Sequence, residues 1–288
     1  MNPAPADEAP HAPAPTPRWS DTWQLDAATD DGAGLTVRLA LQPNEKVAWF
    51  WTYLVLPTRS GPVVVRDHEV PLPRQGLEIR AEALWAELWC ETPLEHWTYG
   101  LEAFAVALDD PADALTGEIG ERVPIGLDLE WEVDGAIHAL PDDWPTHAYF
   151  EPGIVHGEIL LGRERLEFDA RGEHQRRWGV VDFGATGSWT VGCAGSALSM
   201  RVEGLPDGRV DGYVERGNEP RRHIDRGRRE GSSGAMRLLL DDDIEIEGEV
   251  LTGAPVPVDG HAVLDRSLCR LQTGDLFANG WSSLLEAR

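Results

Sequence analysis

Apolar and polar residues alternate with a period of two through most of the chain, and helical periodicity is scarce. Leu35, Val37, Leu39 and Leu41 share one face of a strand. The run Val47–Leu56 (VAWFWTYLVL) is apolar on both faces, which predicts a strand covered on both sides. Val63–Arg66 is a further short strand, and Ala83–Cys90 (ALWAELWC) suits a short helix or a strand. In Trp97–Leu108, residues Trp97, Tyr99, Leu101 and Ala103 lie on one face, with Glu102 and Phe104 on the other. Leu127, Leu129, Trp131 and Val133 alternate with Asp128, Glu130 and Glu132.

The second half repeats this meander. Gly153–Leu161 and Arg165–Ala170 predict a hairpin around Gly162, and Ser188–Cys193 and Ala197–Val202 follow. Arg209–Val214 comes after the turn Pro206-Asp207-Gly208. Met236–Leu240 and Ile244–Val250 form another hairpin, and His261–Leu271 and Gly280–Leu285 close the chain. Pro220–Gly234 is almost devoid of apolar residues and predicts a mobile tip. Many short strands with frequent turn signals indicate an all-β protein of closed or sandwich-like antiparallel sheets.

Two prolines and two aspartates in Pro141-Asp142-Asp143-Trp144-Pro145 predict a linker near Leu140–Thr146. The expected division is a flexible Pro/Ala-rich tail over 1–17, a β domain over 18–143 and a second over 144–288. Nine of the twelve tryptophans precede Pro145, so the first domain should have the more aromatic interior.

Composition narrows the function. The net charge of −25, from 50 acidic and 25 basic residues, repels phosphate backbones and anionic membranes. No apolar run approaches the roughly 20 residues of a spanning helix, and the start lacks the basic and apolar regions of a signal peptide. Neither nucleic acid nor membrane insertion is expected. Cys90, Cys193 and Cys269 are odd in number and far apart, which fits buried thiols in a reduced cytoplasm rather than disulfides or zinc. Lys46 is the only lysine, as a GC-rich bacterial genome would produce. Gly184-Ala185-Thr186-Gly187 does not follow a strand-to-helix pattern, and no Gly-x-Ser-x-Gly elbow occurs. No cofactor is predicted.

The stretch Gly172–Phe183 (GEHQRRWGVVDF) concentrates the candidate chemistry. His174 would move a proton near neutral pH, Asp182 would orient a donor, and Arg176 would hold an oxygenated ligand group beside Trp178. The same residues also suit a structural staple, an Arg–Asp pair with a buried Trp. His147, Tyr149 and Glu151 share a strand face, at a spacing fit for acid–base work, for part of a metal site, or for a wet surface. Asp128, Glu130 and Glu132 suit paired-carboxylate chemistry or a solvated face. Glu102, if buried, must be protonated or paired with Arg80 or Arg122. Trp97, Tyr99 and Trp131 suit the core or a pocket lining.

Gly172, Trp178, Gly179 and Asp182 resemble the Gly-x-Arg-Asp-His-x-Trp-Gly-x-Arg-Asp-Trp element of the carotenoid 1,2-hydratase group, with Phe183 at the final Trp. That group includes AttH-like proteins and resembles fungal decalin-forming cyclases. Tyr149, Glu151, Pro152, Gly153 and Gly157 resemble its lead-in, and Gly280-Trp281 its closing Gly-Trp. The resemblance implies two tandem lipocalin-like antiparallel β-barrels and an apolar terpenoid-, steroid- or polyketide-like ligand; the expected function is its hydration, isomerisation or cyclisation, with non-catalytic carriage, or a structural or assembly role with a vestigial pocket, as the alternatives. Arg176 stands where the hydratases place their acid–base histidine, and His174 lies two residues earlier on the same strand face.

Overall fold

The computed structural model describes residues 2–288 except Glu118, Ser233 and Asp242. Strands β1 (Trp19–Ala28), β2 (Gly34–Gln42), β3 (Val47–Val55), β4 (Val63–Pro71), β5 (Glu78–Ala81), β6 (Leu84–Thr92) and β7 (His96–Leu108) come first. They are followed by β8 (Gly120–Val133), β9 (His138–Ala139), β10 (Thr146–Leu161), β11 (Glu164–Glu167) and β12 (Ala170–Val180). The rest are β13 (Trp189–Ala194), β14 (Leu198–Gly204), β15 (Val210–Arg216), β16 (Arg222–Ile224), β17 (Gly227–Ser232), β18 (Ala235–Leu240), β19 (Ile244–Gly253), β20 (Val256–Asp259), β21 (Ala262–Thr273) and β22 (Leu276–Ala287).

These strands form two antiparallel sheets. The first closes into a barrel: β10, β12, β1, β2, β3, β4, β7 and β8 pair in turn, and β8 returns to β10. Its lumen is packed with the inward residues of each strand, among them Trp23, Leu25, Leu39, Phe50, Trp97, Leu129 and Trp131. The second sheet runs β16-β15-β14-β13-β22-β21-β19-β18-β17, with β20 on β21. Ala83–Cys90, open between helix and strand in the sequence, belongs mostly to β6. Pro220–Gly234, expected to be a mobile tip, supplies β16 and β17, while Ser233 lies outside the described residues. Among the described residues no helix is long and apolar enough to cross a membrane.

Two features depart from the expected division. The turn at Pro141–Pro145 redirects the chain without leaving the first sheet, because β10 pairs with both β8 and β12 and so closes the ring. The sheet changes only between Val180 and Trp189. The Pro/Ala-rich start is also placed. Pro5–Glu8 forms a 3-10 turn in which Asp7 Oδ2 accepts from the Ala4 N–H at 2.8 Å. Asn44 donates to the carbonyls of Ala14 and Thr16, which ties the later part of this segment to the barrel.

β1 and β12 belong to the first sheet and turn their outer face to the second, and this explains their composition. Trp23, Leu25, His174 and Arg176 face the lumen, while Gln24, Asp26, Glu173, Gln175 and Arg177 face the second sheet. Across that boundary Arg266 pairs with Asp26 at 2.5 Å, Arg177 with Glu203 at 2.5 Å and Arg201 with Glu173 at 3.4 Å. Trp281 Nε1–H donates to Ala27 O, and the Tyr53 hydroxyl to Pro255 O.

Candidate functional site

Antiparallel register sets a block of nine lumen-facing side chains on β1, β12 and β10. Asp21, Trp178 and His147 form one cross-strand row. Trp23, Arg176 and Tyr149 form the next, and Leu25, His174 and Glu151 the third. Directly opposed residues of an antiparallel pair share a face, so the alternation of His147, Tyr149 and Glu151 and that of His174 and Arg176 converge on one interior. Trp97 and Tyr99 from β7 and Trp131 from β8 complete the wall, with the Trp97 ring stacked on His174 at 4.7 Å.

The inner end of this block is a buried polar cluster. His174, Glu151 and Arg176 are each fully buried. The Tyr99 hydroxyl lies 2.6 Å from His174 Nδ1. With Tyr99 as donor, His174 Nε2 carries the ring proton and faces Glu8 Oε2 at 3.4 Å and Glu151 Oε2 at 4.0 Å. Both Glu151 oxygens and the Tyr149 hydroxyl lack a hydrogen-bond partner in the structure. Arg176 pairs with Asp21 at 2.9 Å and lies over the Trp23 ring at 3.8 Å. The Arg–Asp pair of the cluster therefore involves Asp21 and not Asp182.

Burial sets the two carboxyls apart. It pushes Glu151 up to about 9, with the neighbouring Glu8 carboxylate adding to the rise. Burial also acts to raise Glu8, but the His174 N–H, the Arg176 charge and the Leu94 N–H outweigh it and hold Glu8 below its ordinary value. His174 is pushed down by burial against the pull of Glu8, and Tyr99 is pushed far up, chiefly by burial. At neutral pH the cluster thus holds a protonated Glu151 beside an ionised Glu8 and a neutral imidazole. Ligand atoms of Glu8, Glu151 and His174 lie within 4.8 Å of one another, a donor set that could hold a metal, although the Arg176 cation 3.9 Å from Glu8 opposes a second positive charge. His96, Glu130 and Glu132 offer a similar set at the surface.

Some expected residues fall elsewhere. Asp182 is exposed and its Oδ1 accepts from the Gly184 N–H at 2.8 Å, which makes it a turn former. Phe183 and Asp182 instead line a cavity of about 240 Å³ between the sheets, walled by Trp51, Trp144 and Trp189 and by Arg38, Arg177 and Arg266. Glu102 is exposed on the outer face of β7 and needs no buried partner. His147 is exposed at the barrel mouth, and Trp178, half-buried there, stacks on His11 at 4.0 Å. Asp128, Glu130 and Glu132 form a solvated face. Glu8, Asp21 and Trp23 were not legible as site residues. The alternation of Trp19, Asp21, Trp23 and Leu25 would have placed the last two, whereas nothing periodic marks Glu8.

The fold is shared with solved structures of low sequence identity. The AttH-like protein NE1406 of Nitrosomonas europaea superimposes with a TM-score of 0.62 at 12% identity, over 94% of this chain and 93% of that one. Kievitone hydratase of Nectria haematococca gives 0.58 at 10% identity, over 92% and 88%. CghA with Sch210972 gives 0.56 at 12% identity, over 100% and 96%. A search of curated proteins finds no matching sequence. The chain belongs to the family of the domain of unknown function DUF7064, whose profile matches residues 4–288.

Proposed function

We propose that the buried polar cluster of the first barrel is a cofactor-free acid–base site that hydrates, isomerises or cyclises a hydrophobic terpenoid-, steroid- or polyketide-like molecule. The observation that carries this reading is Glu151, a fully buried carboxyl with both oxygens unpartnered, pushed up to about 9 beside an ionised carboxylate. A carboxyl that keeps its proton at neutral pH is a general acid, and two carboxyls held apart in this way can divide the acid and base roles. Protonation of an alkene or enol leaves positive charge on carbon, and the faces of Trp23, Trp97 and Trp131 would stabilise it in a site shielded from water. His174, held by Tyr99, stands between the two carboxyls to return the proton, and the Arg176 charge keeps the carboxylate beside it ionised as the base. Asp182 has no role in this reading. The name of one structural relative supports it in kind, since that protein is a hydratase.

The test is exchange in D₂O. Full-length protein is incubated with a panel of terpenoid, steroid and polyketide alkenes, and deuterium gain or addition of water is read by mass spectrometry. Wild type should label at least one class, and Glu151→Gln should lower the rate by about 10²–10⁴ with the fold intact. Equal rates for both proteins would overturn the reading. The cavity between the sheets favours a second reading, carriage of a hydrophobic ligand without turnover. That reading predicts an unchanged lipid co-purifying in native mass spectrometry and lost on Trp189→Ala.

A further inference from the structure

Glu8 reaches the lumen from outside the barrel. Of residues 2–11 it alone is buried, at 4% exposure, while Ala4, Pro5, Ala6, Ala9 and Pro10 lie in the open across the barrel mouth. The barrel meets this segment with donors. Arg176 Nε–H donates to Asp7 O at 2.9 Å and its Nη2 to Ala9 O at 3.2 Å. Trp23 Nε1–H donates to Glu8 O at 3.1 Å, and the Leu94 N–H to Glu8 Oε1 at 3.2 Å. Over Asp7, Glu8 and Ala9 every acceptor is the segment's and every donor the barrel's, while at His11 the sense reverses, its N–H donating to Asp21 Oδ2 at 2.6 Å. Glu8 Oε2 has only the long 3.4 Å approach of His174 Nε2, so the carboxylate only partly satisfies the position it occupies. Beside the segment, a cavity of about 300 Å³ is lined by Trp19, Leu41, Leu72 and Pro73 from the barrel and by His11 and Pro13 from the segment itself. Lifting the segment would join this apolar hollow to the donors.

We infer that the barrel mouth is a binding site for a hydrophobic carboxylic acid, and that Glu8 stands in for the ligand's carboxylate when the site is empty. This inference rests on the lumen being the working site and names the class of molecule it takes. The acid group replaces Glu8 against His174 Nε2, Arg176 and the Leu94 N–H, and the apolar body lies in the hollow beside Trp19 and Leu72. Charge is conserved in the exchange, one carboxylate for another, so Asp21 keeps its partner Arg176, Glu151 keeps an anionic neighbour, and the ligand's own carboxylate takes over the base role beside His174. A neutral ester lacks the charge that the position accommodates. Apparent affinity is reduced by the fraction of molecules in which the segment covers the site.

The test is binding and needs no turnover, so it can fail while proton transfer by Glu151 stands, and the reverse. The probes are 11-(dansylamino)undecanoic acid and its methyl ester, followed by dansyl fluorescence with full-length wild type and Glu8→Ala. Glu8→Ala should bind the acid about tenfold or more tightly than wild type, and the ester should show no such gain. A synthetic peptide of residues 2–11 should compete with the acid on Glu8→Ala, and its Glu8→Gln form should compete less. If Glu8→Ala fails to fold, hydrogen exchange on wild type decides: the acid, and not the ester, should strip protection from the Glu8 and Leu94 amides. Equal affinity of both proteins for the acid, an equal gain for the ester, or unchanged amide protection would each overturn the inference.

Discussion

Glu151 is where sequence, burial and chemistry meet most directly. Its position on β10 points it into a lumen of indole and phenol rings, opposite His174 across the strand pair. Burial, then the Glu8 carboxylate, pushes it from an ordinary 4.5 up to about 9. The folded protein therefore keeps a proton that the unfolded chain has already released. Stability contributed by this group is fully present below the ordinary value and is lost as pH rises through the raised one. Glu173, on the opposite face of β12, shows the same sign over a narrower window. Burial pushes it up to about 7 despite Arg201, so its effect is largely spent above neutrality. Between about pH 7 and 8.5, then, Glu151 dominates, and wild type should lose about 2 kcal/mol at one pH unit per 1.4 kcal/mol. Urea unfolding at several pH values should show that slope, with Glu151→Gln nearly flat over the same interval. Parallel curves for the two proteins would mean that Glu151 is ionised in the folded state.

At the scale of the strand, close approach of backbones fixes which positions tolerate a side chain. Gly153 on β10 is one of these: a Cβ there would lie 2.3 Å from Glu132 O and 2.4 Å from Trp131 Nε1. Backbone cannot yield easily, so the Trp131 indole must move, and it forms the lumen wall beside His174. Gly153→Ala should cost about 1–3 kcal/mol by urea unfolding and shift the tryptophan emission. Gly260→Ala, where nothing lies within 4 Å, should do neither. The strands themselves were legible wherever one face is apolar, as in β2, β7 and β8, because burial of that face imposes period two. β1 was not recognised, although it is buried along its whole length, because Ser20, Thr22, Gln24 and Asp26 read as a wet face, whereas all four are buried and Asp26 pairs with Arg266 of the second sheet. β12 was hard to classify for the same reason: charged residues on both faces find partners in two different sheets. The placement of Glu8 was out of reach, since it depends on donors from residues 23, 94 and 176, and no local pattern encodes them.

Both apolar contact and buried charge pairs join the two sheets. Trp51, Tyr53, Val256, Leu268 and Trp281 form an apolar cluster across the two sheets. Beside it, Asp26 accepts from Arg266 at 2.5 Å, from Gln24 at 2.7 Å and from Gln175 at 2.8 Å, with 7% of its surface exposed. Burial acts to raise Asp26, but the Arg266 charge and hydrogen bond overcome it and hold it below its ordinary value. Removing one member of such a pair leaves a charge without its counterion in a site that water does not reach, whereas replacing both members avoids that penalty. Arg266→Met should therefore destabilise by about 3–5 kcal/mol, and Asp26→Leu/Arg266→Met by clearly less. Because Asp26 lies on the barrel and Arg266 on the second sheet, the lost energy comes out of the joint between them. Calorimetry should show one transition for wild type and two for Arg266→Met, the second sheet melting first. A single, unshifted transition in Arg266→Met would mean that the apolar cluster around Trp281 alone couples the sheets, and that the buried ion pairs contribute nothing net to their union.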